Sequence, residues 1–136
     1  MEKDESEFDT LILNKENLLF LIETDDNIKF GGFNSSKIEI NGYIADENAF
    51  LFTFKDNKPM KFDIKGYKKD YAFYLYDKSN DYLFSIGSDI FINKQNIKST
   101  IHQNEDSSFD YQGIEKALIG KEGSFSMKRF LVIQMK

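Results

Sequence analysis

The chain has 136 residues, 40% hydrophobic and 30% charged, with a net charge of −5, which suits one domain with a real core. The absence of cysteine excludes disulfides, thiolate metal sites and cysteine nucleophiles, and a single histidine leaves no multi-histidine metal site. The acidic balance disfavours binding to a phosphate backbone, so no nucleic-acid partner is expected.

The first ten residues, beginning Met1-Glu2-Lys3-Asp4-Glu5, read as an acidic, frayed tail (1–10) ahead of a single domain over 11–136. They are not the basic-then-apolar start of a secretory signal. The longest apolar run, Leu18-Leu19-Phe20-Leu21-Ile22, is strand-sized and well short of the ~20 residues that span a bilayer. A cytoplasmic protein without membrane insertion is therefore expected.

Residues 18–23 read as a strand, Thr24-Asp25-Asp26-Asn27 as a turn, and 28–33 as the returning strand. In that strand Gly31-Gly32 points to a bulge or to close approach by another group. Residues 37–40 alternate Lys, Ile, Glu, Ile and predict a half-buried strand. Residues 49–54 put Phe50, Phe52 and Phe54 on one face and Ala49, Leu51 and Thr53 on the other. Two apolar faces predict a central strand.

A turn containing the sole proline, Pro59, leads to a strand at 60–64. Further strands are expected at 71–76, 82–86 and 90–92, with a polar turn at 77–81. Residues 93–110 read as polar and turn-like, and 114–119 as one or two helical turns ended by Gly120. In the last segment Phe125 and Met127 share one parity, and Phe130 and Val132 the other. The switch predicts a β-bulge at Lys128-Arg129 that turns both charges outward. Leu131 and Ile133 are apolar too, so the far end reads as buried on both faces. Short strands, frequent turns and little helix predict an all-β sandwich or barrel.

Catalytic and metal-binding patterns fare poorly. Asp77, Ser79 and Asp81 resemble the start of a calcium loop, but Tyr82 and Ser88 stand where a glycine and a bidentate Glu are needed. Gly120-Lys121 lacks the upstream glycine and following hydroxyl of a phosphate loop. His102 has Asp106, Ser107 and Ser108 nearby only as neighbours in a loop, which rarely builds a triad. No carboxylate pair sits in a recognisable hydrolytic setting. The residues thus assign no catalytic group, metal or cofactor. Tyr71, Tyr74, Tyr76 and Tyr82 would offer stacking surfaces to a sugar or other small polar ligand if exposed. A ligand-binding sandwich is therefore one alternative, and a carboxylate-dependent hydrolase a weaker one.

An ordered set of segments resembles the TLDc domain, the C-terminal domain of oxidation-resistance-type proteins. It comprises Lys29-Phe30-Gly31-Gly32-Phe33, Asn48-Ala49-Phe50-Leu51-Phe52, Tyr82-Leu83-Phe84-Ser85-Ile86-Gly87-Ser88-Asp89, Ser108-Phe109-Asp110-Tyr111, and the close at Val132-Ile133-Gln134-Met135. The similarity runs from about Leu11 to Lys136. Departures are Ser88 where many members have His, Leu131 where Glu is common, and a shortened N-terminal part. The resemblance implies a mainly β fold, a two-sheet antiparallel β-sandwich with one or two short peripheral helices. It implies a non-catalytic protein-interaction domain linked to oxidative-stress resistance, with the peripheral sector of the vacuolar proton ATPase as a partner. The motif positions carried over, as structural or interaction residues, are Phe30, Gly31, Gly32, Phe33, Phe50, Phe52, Gly87, Asp89 and Gln134.

Overall fold

Side chains alternate across a strand, so Leu18, Phe20 and Ile22 point to one side of the first strand and Leu19 and Leu21 to the other. In a computed structural model describing residues 8–40, 42–77, 79–94 and 98–135, the first set is buried and the second only partly so. Repeated along the chain, this pattern builds two antiparallel sheets that share one core. The elements are α1 (Phe8–Ile12), β1 (Leu18–Thr24), β2 (Lys29–Asn34), β3 (Tyr43–Ile44), β4 (Phe50–Thr53), β5 (Met60–Asp63), β6 (Phe73–Leu75), β7 (Tyr82–Ile86), β8 (Ile90–Asn93), β9 (Ser99–Ile101), β10 (Gly123–Phe125) and β11 (Met127–Gln134). The first sheet has five strands in the order β11-β1-β2-β4-β5, and the second has six in the order β10-β9-β8-β7-β6-β3.

Aromatic rings join the sheets face to face. Phe20 of β1 lies 5.1 Å from Phe73 and 4.9 Å from Phe84 of the second sheet, and Phe30 of β2 meets Phe125 of β10 edge-on at 5.5 Å. Such offset and edge-to-face contacts add to the burial of large apolar area. The two-sheet β architecture with short helices is therefore as expected.

The last strands carry the predicted irregularity. Glu23 is opposite Arg129 but Thr24 is opposite Met127, so Lys128 is the extra residue of a bulge. Lys128 and Arg129 are both exposed. The chain also changes sheets here, since β10 belongs to the second sheet and β11 to the first.

Several elements differ from the sequence reading. Residues 37–40 form no strand. Ile38 is buried and exchanges backbone hydrogen bonds with Asn14 and Lys15, and only Ile40 makes an isolated bridge, to Leu75. Alternation marked Ile38 as buried, but Ile40 is 37% exposed and the pattern could not supply a pairing partner. A 3₁₀ helix, Gly66–Tyr71, precedes β6 and shortens the strand expected from residue 71. β9 lies inside the stretch expected to be turn-like. Residues 114–119 are turns rather than helix; Lys116 adopts φ 49°, which interrupts helical geometry. Helix α1 begins at Phe8, inside the stretch read as a tail. Its ring stacks on Phe84 at 5.4 Å and meets Phe130 at 5.6 Å. Residues 1–7 lie outside the described residues.

Candidate functional site

The motif residues separate into a buried set and a surface set. Phe30 is core. A β-carbon on Gly31 would fall on the Phe20 carbonyl oxygen, and one on Gly32 would come within 3.0 Å of Leu51 and 3.1 Å of Ile86. The glycine pair therefore serves close approach: Gly31 to its neighbouring strand, Gly32 to the opposite sheet.

Gly87 begins the β7–β8 turn with φ 57°, where a β-carbon would also strike Ser108 and Phe109. Two residues on, Asp89 is wholly buried. Its carboxylate accepts from Ser108 N–H at 2.7 Å, Phe109 N–H at 3.4 Å, the Tyr111 hydroxyl at 2.6 Å and the Ser88 hydroxyl at 3.3 Å. Burial pushes this carboxyl up to about 6, more than those donors pull it down. Tyr111 is held protonated by its burial and by the neighbouring carboxylate. Three of these four donors tie the β7–β8 turn to residues 108–111, a structural role. Asp46 does a similar task that the sequence reading missed: it accepts from the backbone and hydroxyl of Ser35 and from Asn48 N–H. The Asp-x-Asn spacing was its available signal.

The surface set lies on the outer side of the five-stranded sheet. Register aligns Ile133, Leu19, Phe33 and Phe50 in one row ending at Asp63, and Leu131, Leu21, Gly31 and Phe52 in the next, ending at Lys61. Leu131 is 52% exposed and Ile133 42%. The expectation that this end is buried on both faces is thus corrected. β11 is an edge strand, and no described element covers its outer side. Gln134 ends the same strand and donates to the Glu16 carbonyl at 3.1 Å. At the other end of the face the Arg129 guanidinium bonds Glu23 at 2.7 Å and holds its carboxyl below the usual range.

The outer side of the six-stranded sheet differs in chemistry. Tyr71, Tyr43, Tyr74, Tyr76, Tyr82 and Phe91 form an unbroken chain of ring contacts, with centroids 4.5 to 5.4 Å apart. Tyr43 is 59% exposed and Tyr71 49%. Tyr82 joins the chain because of a bulge at Leu83. It lets Phe84 face the core while Tyr82, of the same parity, faces out. The four tyrosines singled out from the sequence are therefore brought together. Tyr43 and Phe91 were missed. Phe91 lies between buried Ile90 and Ile92 and Tyr43 precedes buried Ile44, which was the readable signal.

The ring of His102 packs edge-on against Phe91 at 5.7 Å, and among the described residues no serine or carboxylate bonds its imidazole. Asp77 forms a local turn, accepting from Ser79 N–H at 3.0 Å. An open cleft at one end of the sandwich is lined by Asp25, Asp26, Lys98, Lys121, Ser124 and Ser126 among others. Its two acids are consecutive in one turn, whereas a hydrolytic pair must flank the bond it cleaves. No described helix is long and apolar enough to cross a membrane.

The family model described as the TLDc domain matches the chain over residues 2–130. The match begins ahead of Leu11, where the sequence similarity was first read. No curated protein matches the chain.

Proposed function

The chain belongs to the TLDc domain family, and we propose that it is a non-catalytic protein-interaction domain that docks its partner on the tyrosine face of the six-stranded sheet. The ring chain from Tyr71 to Phe91 carries this reading. Tyrosine offers large, rigid contact area at low entropic cost and a hydroxyl that stays hydrogen-bonded at a partly wet surface, so it is enriched at interfaces. The family resemblance points to the peripheral sector of the vacuolar proton ATPase as partner and to stress tolerance as the process.

Ligand stacking is the second reading, favoured by the exposure of the same rings. Their planes are inclined to one another by 40° to 90°. Such a surface is corrugated, and it suits interdigitating side chains better than a flat sugar ring.

Affinity capture from cell extract tests the proposal. The wild-type chain should recover peripheral-sector subunits, and Tyr43→Glu with Tyr74→Ala should lose most of that recovery. Consistent absence of those subunits with the wild-type bait removes the partner. Undiminished recovery with the double variant removes the face.

A further inference from the structure

The outer face of the five-stranded sheet is a separate surface with a different chemistry. In an antiparallel sheet that faces water on one side, the wet face is normally polar. Here two cross-strand rows present Leu19, Leu21, Phe33, Phe50, Phe52, Leu131 and Ile133, with Gly31 among them, across four strands before ending at Asp63 and Lys61 on β5. Phe54, 45% exposed, extends the aromatic side, its ring 5.9 Å from that of Phe52. No hydroxyl or amide side chain interrupts the rows. An exposed apolar patch of this kind marks an interaction surface.

We infer that this face is the contact between two copies of the chain, packed sheet on sheet. Charge is the first argument. The rim of the face holds Glu23, Lys29, Lys61, Asp63 and Arg129. Arg129 is paired with Glu23 at 2.7 Å, and Lys61 with Asp63 at 3.5 Å. Lys61 also sits 4.6 Å above the Phe50 ring. The chain as a whole has a net charge of −5, yet this rim carries three cations and two anions, most of them satisfied within the face. A surface whose charges are already paired can meet its own copy without like-charge repulsion. A strongly charged partner would find no complement here.

Area is the second argument. Five strands at ~4.8 Å and outward residues spanning about 17 Å give a footprint of about 400 Å² a copy. Counted on both copies this is about 800 Å², the size of a weak, concentration-dependent contact rather than of a standard specific interface. Sheets packed face to face inside domains already show that this stacking is stable. The partner's identical face also provides a match of shape by symmetry, as in twofold homodimers generally.

Sedimentation velocity of the full chain from about 1 to about 500 µM, the range in which an interface of this size associates, tests the inference. The wild type should shift from monomer to dimer across that range. Leu131→Lys should weaken the dimer at least about tenfold, by placing an unpaired cation on a desolvated face. Phe54→Lys should do the same from three strands away. Both positions are well exposed, and a thermal melt by circular dichroism should show each variant folded. Tyr67→Lys, at an exposed residue off this face, should dimerise as the wild type does.

A wild-type chain that remains monomeric overturns the inference. So does a dimer that tolerates both substitutions, or one weakened by Leu131→Lys alone, since the latter is edge pairing along β11. None of these outcomes touches the tyrosine face, whose docking role is read by capture with variants on the other sheet.

Discussion

Asp89 holds four donors on its two oxygens with no access to water. Desolvation and hydrogen bonding act on it in opposite directions, and burial wins, raising the carboxyl from 3.8 to about 6. The linkage has a definite sign. Below pH 3.8 the group is protonated folded or unfolded, and its contribution to stability is fully present. As the pH rises through about 6, the folded state must ionise a buried group that the unfolded chain ionises freely, and up to about 3 kcal/mol is lost. The Asp89→Asn variant has no such step. Its destabilisation relative to wild type, read by urea titration, should therefore be greater at pH 4 than at pH 7 by up to about that amount. An equal cost at both values would mean that the carboxyl titrates ordinarily.

At the scale of the element, β4 is the instructive strand. Its register places it between β2 and β5, so it is central within its sheet. Its two apolar faces are nevertheless unequal: Leu51 is fully buried among the core side chains, while Phe50 and Phe52 are only partly buried on the open face. Leu51→Ala should cost about 2–5 kcal/mol, because it removes packed atoms and leaves a cavity. Phe52→Ala, measured on the monomer at low concentration, should cost about 1–2 kcal/mol, since water already reaches that ring and no closed cavity forms. Chemical denaturation of both variants checks the order. A larger loss at Phe52 would place the covered face of this strand on the wrong side.

For the whole molecule, the position of the rings decides how it unfolds. Phe20 contacts Phe73 and Phe84, Phe30 contacts Phe125, and Phe8 reaches both Phe84 and Phe130. Neither sheet retains a covered inner face if the other leaves. A single cooperative transition is expected. The chain has seven tyrosines and no tryptophan, and those of the exposed ring chain lie on the six-stranded sheet. Tyrosine fluorescence therefore reports mainly that sheet, and far-ultraviolet circular dichroism reports both. Their urea midpoints should coincide; separated midpoints would show that the sheets unfold independently.

The sequence by itself determined the β class, most strands, the bulge beside Arg129 and the need for glycine at Gly31, because each depends on local alternation or on steric room along the chain. It also marked Phe33, Phe50, Phe52, Gly87 and Asp89 as family positions. Only the tertiary structure decided which of them face the core and which face solvent. Burial of a strand's second face depends on what lies over it, and at Leu131 and Ile133 the described chain provides nothing. The tyrosine chain was likewise beyond local reading, since Tyr43 meets Tyr74 through cross-strand register, Phe91 shares their row across Ser85, and Tyr82 reaches Phe91 only through a bulge. Alternation tells a residue's side of its own strand. Which side becomes interior is settled by how the sheets stack, through contacts between residues far apart in the chain.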